Sequence, residues 1–204
     1  MPLSKRLFDL IFAVMLSVLI VPVILVLSLV ILILDGGPVF YVSERMKTPS
    51  QGFRLWKFRT MTPVAQDFGV SGGDKINRVT KTGKWLRRLR LDELPQIWNV
   101  LRGDISFVGP RPPLRVYVER FPDLYAEVLK SRPGITGLAS LVYHRHEELL
   151  ISQCKTEAQT NAVYERKCVP TKAKLDLMYQ ANQSLCFDAA LILRTARRLV
   201  LRLK

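Results

Sequence analysis

The stretch Leu10–Leu34, LIFAVMLSVLIVPVILVLSLVILIL, carries no charged residue and is bounded by Asp9 and Asp35. An uncharged apolar run of this length reads as a membrane segment. As a straight helix it measures about 38 Å at ~1.5 Å per residue, enough to cross a hydrocarbon core of roughly 30 Å. It is too long for a cleaved signal peptide, and no small-residue cleavage pattern closes it, so it is expected to stay in the mature protein.

Two features bear on its topology. Pro22 at the midpoint removes a backbone donor and crowds the preceding turn, so a kink or break is expected there. Lys5 and Arg6 precede the run, and Arg45, Lys47, Arg54, Lys57 and Arg59 follow it, so both ends read as cytoplasmic by the positive-inside rule. A single span satisfies the length. A re-entrant hairpin, two limbs of about 18 Å at ~1.5 Å per residue, satisfies the proline and both flanks.

Beyond the segment the chain reads as soluble structure. Asp35-Gly36-Gly37-Pro38 is a turn signal, and Val39–Val42 with Phe53–Arg59 read as the strands of a small β-hairpin. Alternation puts Phe53, Leu55, Lys57 and Arg59 on one face of the second strand, where Lys57 and Arg59 could share an anion or simply be solvated. Gln66–Asn77, with Gly69, Gly72 and Gly73, reads as a mobile loop. A short basic amphipathic helix is expected from about Thr82 to Arg90, and a second from Asp92 to Gly103 with apolar Leu94, Ile97, Trp98 and Leu101. Trp98 is expected to pack. Gly109-Pro110-Arg111-Pro112-Pro113 and Arg132-Pro133-Gly134-Ile135-Thr136-Gly137 read as rigid turns suited to ligand contact. Residues 144–166 read as a polar helical excursion with no assigned chemistry. Ala189–Lys204 is a basic amphipathic tail, with Arg194, Arg198 and Arg202 on one face, expected on anionic lipid.

Lys plus Arg number 31 against 17 Asp plus Glu in 204 residues, a formal charge of +14, which points to anionic partners. The three cysteines show no C-x-x-C spacing and lie far from the two histidines, so neither a disulfide framework nor a zinc site is expected.

The chemistry-bearing stretch is Arg87–Pro112, where adjacent Asp92 and Glu93 sit between arginine clusters. Neighbouring carboxylates cannot flank a sugar at the roughly 5–9.5 Å separations glycosidases use, so ordinary glycoside hydrolysis is disfavoured. They suit phosphoryl transfer, one attacking or binding a metal while the other handles a proton or a second metal contact. The competing reading makes Asp92 a helix cap and Glu93 a first-turn acid.

The motifs Lys57-Phe58-Arg59-Thr60-Met61, Leu91-Asp92-Glu93-Leu94-Pro95-Gln96, Asn99–Asp104, Ser106–Pro112 and Arg132–Gly137, in this order, resemble the bacterial sugar transferases, the monotopic phosphoglycosyl transferases. The resemblance covers nearly the whole chain. It implies a mainly helical α+β fold: a re-entrant membrane helix-hairpin over 1–36, one compact cytosol-facing catalytic domain over 37–188 with interfacial helices, and the tail over 189–204. It also implies transfer of a sugar 1-phosphate from a UDP-sugar to polyprenol (undecaprenyl) phosphate, with release of UMP, at the start of glycoconjugate or polysaccharide assembly in the bacterial cytoplasmic membrane. By the same resemblance Asp92 is the nucleophile of a covalent phosphosugar intermediate and Glu93 its partner. Mg2+ would sit at Asp92 and Glu93, and Arg111 would contact phosphate, with Arg87, Lys57, Arg59 and Asp176 as further contacts. Membrane lipids rather than nucleic acid are the implied partners. The family breaks its membrane helix at Ser-Pro, whereas this chain has Val21-Pro22, and the segment after Gly137 departs from the family pattern. With the retained proline and the flanks, the resemblance favours the hairpin. The alternative is a non-catalytic peripheral protein that binds anionic lipid or nucleic acid through its basic surface.

Overall fold

The computed structural model describes residues 1–64, 69–70 and 72–201. It is a mostly helical α+β fold with a long apolar N-terminal helix and a small β-hairpin. Part of the loop expected over Gln66–Asn77, and Arg202 of the tail, lie outside the described residues. The second half of that loop forms a 3-10 helix, Gly73–Arg78.

Helix α1 runs from Leu3 to Leu34 and continues through Pro22, so the break expected there is not made. Proline forfeits one backbone bond and strains one turn. The apolar residues on both sides carry no glycine, and the domain supports the helix before and after the proline. Lys5, Asp9, Ala13, Leu27 and Ile31 are buried, and Phe12, Leu16, Ile20 and Ile24 pack partly between them. These positions recur every three or four residues and form one helix face.

That face lies along the domain. Near its middle it meets Phe53, Ile97, Ile105, Phe107 and Leu191, and near its end Leu27 and Ile31 meet Phe58 and Leu86. The N-terminus is fixed by a buried ion pair, Lys5 Nζ to Asp188 Oδ2 at 2.5 Å. Arg6 donates to the carbonyls of Val100 and Leu101 at 2.7 and 2.8 Å. The C-terminus is fixed by Arg59, which donates to the carbonyls of Asp35, Gly36 and Gly37. Both ends of a helix about 48 Å long at ~1.5 Å per residue therefore rest on one domain. The opposite face, including Leu7, Val14, Val18, Leu25, Leu29 and Ile33, is exposed and apolar from Leu7 onward.

Strands β1 (Phe40–Met46) and β2 (Gly52–Phe58) pair antiparallel, with Phe40 opposite Phe58 and Tyr41 opposite Lys57. Helix α2 (Lys81–Leu89) opens on Thr80, whose hydroxyl accepts from the Gly83 amide at 2.9 Å. The expected second helix is divided. A 3-10 segment covers Leu91–Gln96, and α3 (Ile97–Arg102) ends at Gly103, which takes φ 76° to stop it. Asn99 ties α3 to β2, accepting from the Trp56 amide and donating to the Arg54 carbonyl. Trp98 is 52% exposed, because the face of α3 turned to the core is that of Ile97 and Val100.

The two proline-rich turns are joined. β3 (Ser106–Val108) and β4 (Gly134–Thr136) form a two-stranded parallel sheet, extended by Gly109 N donating to Thr136 O and Gly134 N to Pro110 O. A Cβ on Gly109 or Gly134 would meet backbone at 2.1–2.2 Å, so glycine is required for this approach. Helices α4 (Arg115–Arg120) and α5 (Pro122–Val128) lie between these strands in sequence, and α6 (Leu138–Val142) follows. The polar excursion becomes α7 (His144–Ser152), α8 (Glu157–Val163) and a π-helical turn, Tyr164–Cys168, leading into α9 (Val169–Ala181). Helix α10 (Leu185–Leu201) starts before the expected tail and packs against β3 through Leu191 and against α1 through Asp188.

Candidate active site

Asp92 and Glu93 project from the 3-10 segment into a cavity of about 450 Å3 walled by β2, the Arg111 turn, α7 and α9. The residue before the segment, Arg90, adopts a left-handed backbone, φ 55°, where a side chain is disfavoured. Its guanidinium offsets this by donating to Glu93 Oε2 at 2.7 Å.

Glu93 is 7% exposed and held by three cations. Arg111 Nη2 lies 2.9 Å and Lys57 Nζ 3.2 Å from Oε1, while Arg90 holds Oε2. Burial alone would raise its pKa, but Arg111, Lys57 and Arg90 together hold the carboxyl well below the usual carboxylate range. Lys57 shifts down, because burial outweighs its attraction to Glu93.

Asp92 has the opposite surroundings. Its carboxylate makes no hydrogen bond or ion pair among the described residues, and it caps no helix. Burial raises its pKa, with Glu93 adding to the rise and Lys57, Arg87 and Arg111 opposing it. Two neighbouring carboxyls are thereby separated into a fixed anion and an unengaged oxygen donor facing a cation-lined cavity.

The other expected residues divide. Arg111 and Lys57 converge on Glu93, and Arg87 lines the cavity with its Nε donating to Thr60 Oγ1 at 2.8 Å. Arg59 also reaches the cavity wall, but β2 ends at Phe58 and the guanidinium turns to the three carbonyls after α1. Lys57 and Arg59 therefore do not face a common anion. Asp176 lines the far wall, on α9.

Sequence reasoning missed Arg90, although its i, i+3 spacing to Glu93 was a usable signal. It also missed the excursion: His144, Glu147 and Glu148 of α7 and Tyr164 line the cavity. Glu147 Oε1 accepts from Lys172 Nζ at 2.9 Å, a partner 25 positions away that periodicity does not reveal.

Among the described residues no group of three or more His, Cys, Asp or Glu is arranged to hold a metal. Magnesium does not require one, since it binds through one or two carboxylates plus substrate phosphates and water. Asp92 fits that role. Glu93 does not, because three cations already engage its two oxygens.

The described residues thus set a cavity lined on one side by Lys57, Arg87, Arg90 and Arg111 beside a long apolar helix, an arrangement suited to a membrane-associated protein with anionic ligands. The family profile for bacterial sugar transferases matches residues 2–202, and the chain belongs to that family. It is 32% identical over 204 residues to a UDP-N-acetylgalactosamine-undecaprenyl-phosphate N-acetylgalactosaminephosphotransferase of Aeromonas hydrophila, covering 96% of this chain and 43% of the relative. It is 36% identical to the uncharacterized sugar transferase EpsL of Bacillus subtilis, over 96% of this chain and 87% of that one. It is 37% identical to a UDP-glucose:undecaprenyl-phosphate glucose-1-phosphate transferase of Klebsiella pneumoniae, over 79% of this chain and 36% of the relative. The chain thus spans less than half the length of the first and third.

Proposed function

We propose that the chain transfers a sugar 1-phosphate from a UDP-sugar to polyprenol phosphate and releases UMP. The observation that carries this reading is the division of labour between the adjacent carboxyls: Glu93 is clamped by Lys57, Arg90 and Arg111, while Asp92 is unengaged in the same cavity. Relatives named as undecaprenyl-phosphate sugar-1-phosphate transferases support the substrate classes.

In this mechanism an Asp92 oxygen attacks the phosphorus that bears the sugar. The bond from that phosphorus to the bridging oxygen breaks, and UMP departs with the bond's electrons. The product is an acyl phosphosugar on Asp92. A phosphate oxygen of polyprenol phosphate then attacks the same phosphorus, which frees Asp92 and yields a polyprenyl diphosphate sugar. Glu93 keeps Lys57, Arg90 and Arg111 in place, so that charge developing on the phosphoryl oxygens meets a preorganised cationic wall. Bound Mg2+, held by Asp92 and the donor diphosphate, would neutralise charge that otherwise opposes the approach of a carboxylate.

The packing of both α1 ends on one domain supports a helix that lies in the bilayer without crossing it. Its exposed apolar face would contact lipid tails, with the cavity at the cytoplasmic surface. There a soluble nucleotide sugar and a lipid phosphate could reach Asp92 in turn. The test is UMP release from UDP-sugars by the purified chain with Mg2+ and polyprenol phosphate. Magnesium-dependent release supports the reading. Its absence with every UDP-sugar would leave a lipid-binding protein without this chemistry.

A further inference from the structure

The cavity has two walls of different character. Lys57, Arg87, Arg90 and Arg111 make one strongly cationic, as a diphosphate requires. The other is formed by α7, Tyr164 and α9, and gathers His144, Glu147, Glu148 and Asp176 with Lys172, whose ammonium Glu147 engages. A phosphate has no reason to prefer this second wall. A neutral ligand rich in O–H and N–H donors does.

Asp176 is the informative group on it. The residue is 6% exposed, and its Oδ1 is buried without a hydrogen-bond partner among the described residues. Lys172, one helical turn earlier, is the natural partner at i, i+4, but its ammonium is taken by Glu147 at 2.9 Å and the Tyr164 hydroxyl at 3.2 Å. Burial, only partly opposed by Lys172 and reinforced by Glu147, pushes the Asp176 carboxyl up to about 7. Near neutral pH it can therefore donate as well as accept. Native proteins rarely keep a buried polar atom unsatisfied, and one on a cavity wall calls for a ligand.

We propose that this second wall is the sugar subsite and that the Asp176 carboxyl hydrogen-bonds a hydroxyl or amide N–H of the donor sugar. The inference rests on the transferase reading and deepens it. It assigns sugar recognition to α9 and the excursion rather than to the phosphate-binding turn.

The test uses the full chain in detergent with polyprenol phosphate, Mg2+ and four donors: UDP-glucose, UDP-galactose, UDP-N-acetylglucosamine and UDP-N-acetylgalactosamine. Steady-state constants for the donors turned over by the wild type are compared with the inhibition constant of UMP, which lacks the sugar. For Asp176→Ala, kcat/KM is expected to fall at least about tenfold, the effect of losing a hydrogen bond to a charged or strongly polar group. UMP inhibition is expected to stay within about twofold, since UMP makes no contact with this wall. The melting temperature should not fall, because the substitution removes an unsatisfied buried group. Asp176→Asn, which keeps a donor and an acceptor, should recover part of the loss and serves if the alanine variant is poorly folded. Unchanged donor constants, or UMP inhibition weakened by the same factor, would overturn the proposal. A wild-type chain inert toward all four donors fails the transferase reading first, and the subsite with it.

Discussion

Replacing Glu93 by Gln tests the electrostatic logic of the site directly. The substitution keeps the shape and removes the charge that three cations converge on, at 2.7, 2.9 and 3.2 Å. Removing one partner of a buried ion pair costs about 3–5 kcal/mol, because the other is left uncompensated. Arg111 is 36% exposed on its side chain, so solvent screens part of the loss, and about 2–3 kcal/mol is the appropriate expectation. For a chain of this size that corresponds to a fall of roughly 4–12 °C in melting temperature. The assay is thermal melting in detergent micelles at pH 7, followed by helical circular dichroism. Added inorganic phosphate should restore part of the loss by binding in the cavity beside the cations left without a counter-charge. The pH dependence carries a sign as well. The Glu93 carboxyl lies well below its unfolded value near 4.5, so its contribution is present above that value and is lost as pH falls through the folded value. The wild-type and Glu93→Gln curves should therefore converge in acid. A variant that melts within about 1 °C of the wild type at pH 7, with no response to phosphate, would refute the reasoning.

Two further outcomes follow from the positions of Arg59 and α1. Arg59→Gln should lower stability by about 1.5–3 kcal/mol through loss of the carbonyl bonds at the end of α1, while the KM of the folded enzyme for its UDP-sugar stays unchanged; a raised KM at unchanged stability would instead mark Arg59 as a phosphate contact. With Cys186 changed to Ser, single cysteines placed as Leu3→Cys and Gln51→Cys should react with a membrane-impermeant maleimide in inside-out vesicles and not in right-side-out ones. Labelling of the two positions from opposite sides would establish a crossing helix.

Local pattern made much of the fold legible. Alternation in Phe53–Arg59 placed β2, the helix expected from about Thr82 to Arg90 met α2 within a residue at each end, and Gly103 marked the end of α3. What escaped was decided by contacts distant in sequence. β3 and β4 are three residues each, too short for a periodic signal, and exist because the two glycine-proline turns zip together. The continuity of α1 through Pro22 depends on a domain face that supports both halves, which the segment does not encode alone. At the site, Asp92, Glu93, Lys57, Arg87 and Arg111 were legible because they sit in or beside compact motifs. The second wall was not. Lys172 and Glu147 meet only after α7 folds back on α9, and that pairing leaves Asp176 Oδ1 without a hydrogen-bond partner among the described residues.

The central claim is that Asp92 carries the phosphosugar. Purified chain mixed with Mg2+ and a UDP-sugar it turns over, without polyprenol phosphate, should release UMP in a burst approaching one equivalent per active site. Intact-protein mass spectrometry should show the added mass of one sugar phosphate, mapped to Asp92 and discharged when polyprenol phosphate is supplied. Asp92→Asn should show neither burst nor adduct. Full turnover by Asp92→Asn, or UMP release that begins only when the lipid is present and leaves no adduct, would contradict the account.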